Sequence, residues 1–84
     1  VTHGTDTMVE TAKVLATIPD KTIILTGALN PARFRGSDAE FNIGTAVGAV
    51  QSLAAGVYIA MNGRIWDPLK VRKNVAANRF EAAS

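Results

Sequence analysis

The sequence predicts an α/β fold, a doubly wound, three-layer parallel sheet closed by a terminal β-hairpin, and three observations predict it. Short β-branched runs alternate with longer amphipathic stretches in the order strand, helix, strand, helix, strand. The links between them are short, which favours parallel strands joined by right-handed crossovers. An Asn62-Gly63 pair follows the last apolar run and is the strongest short hairpin signal a sequence can carry.

Val1-Thr2 reads as the end of a strand, and no initiator Met precedes it, so residues 1–84 are expected to form one partial domain of something larger. Met8 to Ile18 repeats apolar residues at Met8, Ala12 and Leu15, widened by Val9, Ala16 and Ile18, which predicts a helix covering one face of a sheet. Thr7 and Glu10 have the spacing of a capping box at its start. Pro19 ends it, because the residue before a proline is pushed out of the α region. Thr22 to Thr26 is almost wholly apolar, as a strand buried on both faces would be, and Gly27 closes it. Ala28 to Gly36, with Pro31, Arg33 and Arg35, is expected to be a loop.

A second capping box, Ser37 with Glu40, opens the next helix. Its stripe is Ala39, Ile43, Ala46, Val47, Val50 and Leu53, and Gly56 is placed to end it in left-handed geometry. Gly44 and Gly48 suggest close packing of this helix on the sheet rather than membrane dimerisation. Val57 to Met61 is the third strand and Arg64 to Trp66 its return. From Asp67-Pro68 onward the chain is polar, which predicts a loop leading into a short helix.

Composition narrows the function. A chain of 84 residues with 48% apolar content is globular rather than disordered. At that size it buries roughly 60–65% of its unfolded surface, which leaves little stability to spare. There is no cysteine, hence no disulfide, thiolate metal site or cysteine nucleophile. The net charge of +2 is slight, and Trp66 and Phe80 flank the basic tail without interleaving it, so nucleic-acid binding is not expected. Gln51, Ser52 and Gly56 interrupt the apolar stretch from Ile43 to Met61, which argues against a membrane span.

The chemistry concentrates in the opening, Thr2-His3-Gly4-Thr5-Asp6-Thr7, where a strand end meets a helix start. In an open α/β sheet, ligands bind at the carboxyl ends of the strands. Thr5 and Asp6 would face the positive end of the helix dipole, beside N–H groups that lack intrahelical partners. A threonine hydroxyl must be activated to act as a nucleophile, and a carboxylate adjacent in sequence is a poor base for one. A lysine whose charge is suppressed by burial is a better base.

His3 to Thr7, then Glu10-Thr11-Ala12, then Ile23-Ile24-Leu25-Thr26-Gly27-Ala28 form an ordered series that resembles the asparaginase family. Ser37-Asp38 with Asn42, and Gly56-Val57 through Asn62, continue the resemblance over nearly the whole chain. It implies a Thr-Lys-Asp constellation together with a second threonine. The Thr and Asp map onto Thr5 and Asp6, and the lysine maps best onto Lys73. In the family that lysine follows a Val-Thr pair, whereas Val71-Arg72 stands here, which makes Lys70 a competitor. Gly4 and the Ala28 carbonyl are implied to line the substrate pocket with Thr5 and Asp6. The other threonine of the family lies in a Gly-rich segment upstream of these residues.

Simpler roles compete with each assignment. Thr and Asp at a helix start most often act as caps, but Thr7 is already placed for that role. His3 is assigned a structural role, because a residue before the strand-end glycine tends to point away from the crevice. Asp38 has no partner at metal-ligand spacing, so capping is its expected role and no metal site is expected.

The function expected from residues and resemblance together is an asparaginase-like amidohydrolase. It would hydrolyse the side-chain amide of asparagine, or of glutamine, to the acid and ammonia. No cofactor is expected. The expected partner is a small-molecule amide amino acid, with no nucleic acid and no membrane, in a cytoplasmic homo-oligomer that is inactive when reduced to these residues. The alternative is a non-catalytic module binding a small anion or nucleotide at the Gly4–Thr7 turn, weakened by the lack of any G-x-G-x-x-G or P-loop pattern.

Overall fold

The computed structural model describes residues 1–30 and 37–83. The expected loop residues Pro31, Arg33 and Arg35 lie outside the described part. The elements are α1 (Met8–Leu15), β1 (Thr22–Thr26), α2 (Ala39–Ser52), β2 (Gly56–Met61), β3 (Arg64–Trp66), a 3-10 turn (Pro68–Lys70), β4 (Val71–Asn74) and β5 (Arg79–Ala82). The result is a small α/β unit with a mixed sheet and a separate β-hairpin.

β1 pairs in parallel with β2 from Thr22↔Gly56 to Thr26↔Ala60. On its other edge a parallel bridge joins Thr2 to Thr26. Thr26 N donates to Val1 O and His3 N to Thr26 O, both at 2.9 Å, so the opening residues do run beside β1 as a strand end. β3 returns antiparallel to β2. Asn62 and Gly63 make the turn at φ 56° and 70°, the two positive values a two-residue type I′ hairpin demands.

Because strand side chains alternate, successive residues of β1 and β2 face opposite helices. Leu25, Ile59 and Met61 pack with Met8 and Ala12 of α1, joined by Val71 and Phe80. Ile24 and Ala60 pack with Ala46 and Ala49 of α2.

The structure corrects several expectations. α1 stops at Leu15, before Pro19, and residues 16–18 form turns in which the Thr17 hydroxyl donates to Val14 O at 2.9 Å. Thr7 occupies the cap position but its side chain makes no capping bond, so the box with Glu10 does not form. The buried face of α2 is Asn42, Ala46 and Ala49, whereas Ile43, Val47 and Val50 are 45–52% exposed. Small alanines let the helix sit close to the sheet, and the larger branched residues are turned aside. With Val1 and Ile24 they line an open apolar cleft of about 370 Å³. Gly44 and Gly48 therefore mark no close contact, since an added Cβ at either would meet nothing within 4 Å. α2 ends at Leu53 in extended geometry, and Gly56 begins β2 rather than capping the helix.

The tail is the largest correction. Asp67 Oδ1 accepts from Leu69 N at 2.9 Å and starts the 3-10 turn. The predicted loop and short helix are instead the β4–β5 hairpin, a sheet of its own with Val71↔Ala82 and Lys73↔Phe80 as partners. Val71 and Phe80 bury against α1 and the main sheet, while Arg72, Arg79 and Glu81 pair on the outer face. Burial of one face of each strand stabilises the hairpin more than isolated helix propensity could stabilise a short helix. No helix among the described residues is long and apolar enough to cross a membrane.

Candidate active site

The turn from Gly4 to Thr7 carries the chain from the strand end into α1. The His3 ring holds it from behind. Nδ1 lies 2.7 Å from Gly4 O, which can only accept, so this nitrogen carries the proton in the neutral ring. Nε2 then accepts from the Thr11 hydroxyl at 3.0 Å. Both ring nitrogens are engaged, which agrees with the structural role expected of His3.

With Thr7 making no capping bond, Thr5 and Asp6 are engaged elsewhere. Lys73 Nζ donates to Thr5 Oγ1 at 2.7 Å and to Asp6 Oδ1 at 2.6 Å, across 67–68 residues of sequence. The lysine side chain is 12% exposed and the Asp6 side chain 80%. An ammonium nearly out of water is thus held between a hydroxyl and a carboxylate that opens to solvent. Lys70 is exposed at the end of the 3-10 turn, where its carbonyl accepts from Ala83 N at 2.9 Å. Of the two candidate lysines, only Lys73 reaches Thr5 and Asp6.

Ala28 is half-buried at the end of β1, beside Gly27. An added Cβ on Gly27 would stand 2.3 Å from His3 O, so the strand end and the entry to the turn touch backbone to backbone. Asn42, fully buried on α2, donates through Nδ2 to Gly27 O at 2.8 Å and to Asp38 Oδ2 at 2.9 Å. Its Oδ1 has no partner among the described residues. Asp38 in turn accepts from Leu29 N at 3.0 Å and Asn30 N at 3.1 Å.

Asp38 stands at the cap position of α2, but its carboxylate braces the segment after β1 instead of capping the helix. Ser37 Oγ takes the Ala39 N–H at 3.2 Å. Burial alone would raise the Asp38 pKa, but the donors from Leu29, Asn30 and Asn42 outweigh it and hold the group below its ordinary 3.8. Sequence reasoning missed this network. Its signal was the Asp38/Asn42 pair at i and i+4, which places the two side chains on one face.

The arrangement can move a proton between a lysine and a threonine hydroxyl, and it offers a partly exposed carboxylate to a cationic ligand. Among the described residues no three His, Asp or Glu side chains gather as a metal site.

The family profile described as "Asparaginase, N-terminal" matches residues 1–83. A glutaminase-asparaginase of Acinetobacter glutaminasificans is 38% identical over 80 residues, covering 89% of this chain and 24% of that protein. A probable periplasmic L-asparaginase of Haemophilus influenzae is 38% identical over 78 residues, covering 87% of this chain and 22% of that protein. The crystal structure of a probable cytoplasmic L-asparaginase from Campylobacter jejuni superposes with a TM-score of 0.85 at 35% identity, over 96% of this chain and 28% of that one. The chain thus spans about a quarter of the length of these relatives. By the profile match along almost its whole length, the chain belongs to the asparaginase family, over that family's N-terminal domain.

Proposed function

We propose that the full-length protein carrying this chain is an L-asparaginase-like amidohydrolase that releases ammonia from asparagine, with glutamine as the alternative substrate. The observation that carries the reading is the position of Lys73 Nζ, within 2.7 Å of Thr5 Oγ1 and 2.6 Å of Asp6 Oδ1. In this reading Lys73, once neutral, takes the proton of the Thr5 hydroxyl. The oxygen then attacks the amide carbon, or deprotonates the second threonine implied by the family resemblance. Collapse of the tetrahedral intermediate returns a proton to the leaving nitrogen, which departs as ammonia, and water hydrolyses the resulting ester to the acid. The exposed side of Asp6 holds the substrate's α-ammonium. Gly4 and the Ala28 carbonyl line the pocket, and the Asn42–Asp38 network supports the segment that carries Ala28.

The same reading extends the fold to a doubly wound three-layer sheet, supported by Leu25 and Ile24 facing different helices. It also includes a homo-oligomer, to be measured by light scattering. The named compartments of the relatives include both cytoplasm and periplasm, so location is a matter for fractionation. Because Asp6 already engages the Lys73 charge, an anion- or nucleotide-binding role for the Gly4–Thr7 turn is not favoured.

The test is ammonia release by the full-length protein. Thr5→Val and Lys73→Met are expected to lose about 10²–10⁴-fold or more in kcat, the range for a positioned acid–base group. Lys70→Met is expected to stay near wild type. Asp6→Asn should raise KM and lower kcat together. Near-normal turnover by Thr5→Val removes Thr5 from the mechanism, and a dead Lys70→Met beside an active Lys73→Met moves the lysine's role.

A further inference from the structure

We infer that Asn62 is a positioning residue for Lys73, acting through the backbone of Phe80; the inference rests on the proton-transfer role proposed for Lys73. Lys73 does not sit on the main sheet. It lies on β4, whose only ladder partner among the described residues is β5, so the place of its ammonium depends on how this hairpin is docked.

Two kinds of contact dock it. Val71 and Phe80, 3% and 4% exposed, bury against Met8, Ala12, Leu25, Ile59 and Met61. Such burial is strong but non-directional, and it fixes the depth of the hairpin better than its slide along the sheet. The directional contact is a hydrogen bond from Phe80 N to Asn62 Oδ1 at 3.2 Å. Apart from the bonds of Lys73 itself, it is the one hydrogen bond among the described residues that joins β4 or β5 to the main sheet.

Its position suits the task. Phe80 is the residue directly opposite Lys73, so their side chains leave the hairpin on the same face. The Phe80 N–H takes no partner from β4 and is met by Asn62 Oδ1 instead. Asn62 belongs to the β2–β3 turn, which is anchored by the central strand. A chain of three steps therefore runs from β2 through Asn62 and Phe80 to Lys73. A shift of about 1 Å in a catalytic group can cost about a hundredfold in rate, so one such bond is worth more to turnover than to stability.

A simpler account is that Asn62 is there because asparagine tolerates its φ of 56°. The two accounts predict opposite results for Asn62→Gly. Glycine adopts positive φ more easily than asparagine, so a turn-only role leaves this variant as active and as stable as wild type. The positioning role predicts that it folds normally but loses the acceptor for Phe80 N–H.

The experiment measures kcat and KM for asparagine, with thermal unfolding, on Asn62→Gly, Asn62→Asp and Lys73→Met in the full-length protein. The expected result is a kcat of Asn62→Gly reduced about tenfold to a hundredfold with KM within twofold and an unchanged melting temperature. Asn62→Asp, which keeps both an acceptor oxygen and tolerance of positive φ, should retain most of the activity. Wild-type kcat in Asn62→Gly, or equal losses in Asn62→Gly and Asn62→Asp, overturns the positioning role. If Asn62→Gly does not fold, a loss of kcat in Asn62→Asp as large as that in Lys73→Met overturns it as well. An active Lys73→Met instead overturns the role of the lysine itself, and so separates that failure from one at Asn62.

Discussion

Asp38 shows how much one side chain can organise. Its carboxylate gathers the N–H groups of Leu29 and Asn30 and the amide of Asn42, which also holds Gly27 O. Its folded pKa lies below 3.8, so the sign of its pH dependence is set: folding favours the charged form. The stability it adds is complete above the unfolded value and is lost as pH falls through the folded one. Asp38→Asn is therefore expected to melt below wild type at pH 7, with the gap narrowing below about pH 4. Melting curves at the two pH values check this, and a gap that stays constant would count against the carboxylate as its source. The sequence disclosed Asp38 only as a helix cap, because a carboxylate before a helix has the same pattern whether it turns forward to the helix or back to the preceding loop. Asn42 was hidden for a related reason: a buried amide interrupts an apolar stripe and looks like a solvent-facing position.

At the scale of elements, the opening strand and β1 meet closely at Gly27. Gly27 has no positive φ to accommodate; what it supplies is room for His3 O. Gly27→Ala would press a Cβ to 2.3 Å from that backbone oxygen and 3.1 Å from Met8 Cε, so the opening strand or β1 must shift. The expected cost is about 1–3 kcal/mol, typical of overpacking, read from the denaturant midpoint. Ammonia release should fall further than stability does, because the shift moves Thr5 away from Lys73. Gly44→Ala is the control. Its Cβ enters open space within α2, so it should stabilise by roughly 0.5–1 kcal/mol.

The elements most legible in the sequence were those with a local signature, β1 in its apolar run and the β2–β3 turn in Asn62-Gly63. The β4–β5 hairpin was not legible, because its inward residues are Val71, Lys73 and Phe80. A lysine on the inner face reads as polar and masks the alternation. The same masking applies to the site. Thr5 and Asp6 stand out at a strand–helix junction, but nothing in their spacing indicates a partner 67–68 residues away. Only the family resemblance pointed to Lys73.

For the molecule as a whole, the balance around Lys73 decides whether these residues suffice for catalysis. In the proposed role Lys73 works beside Asp6, whose carboxylate lies 2.6 Å from its Nζ. The Lys73 side chain is 12% exposed but that of Asp6 is 80% exposed, so this side of the pair stands open to water. The face of α2 that carries Ile43, Val47 and Val50 is similarly open, and these apolar residues line a cleft beside Val1 and Ile24. In the Campylobacter jejuni structure the matched region is 28% of the chain, so most of that protein has no counterpart among the residues described. The 84-residue chain prepared alone is therefore expected to give a mixed α/β circular dichroism spectrum and no measurable ammonia release from asparagine. The full-length protein, assayed in parallel, should be active and should lose that activity in Lys73→Met. Robust turnover by the 84-residue chain would mean that Thr5, Asp6 and Lys73 work while open to water, and the case for a closed site would fall.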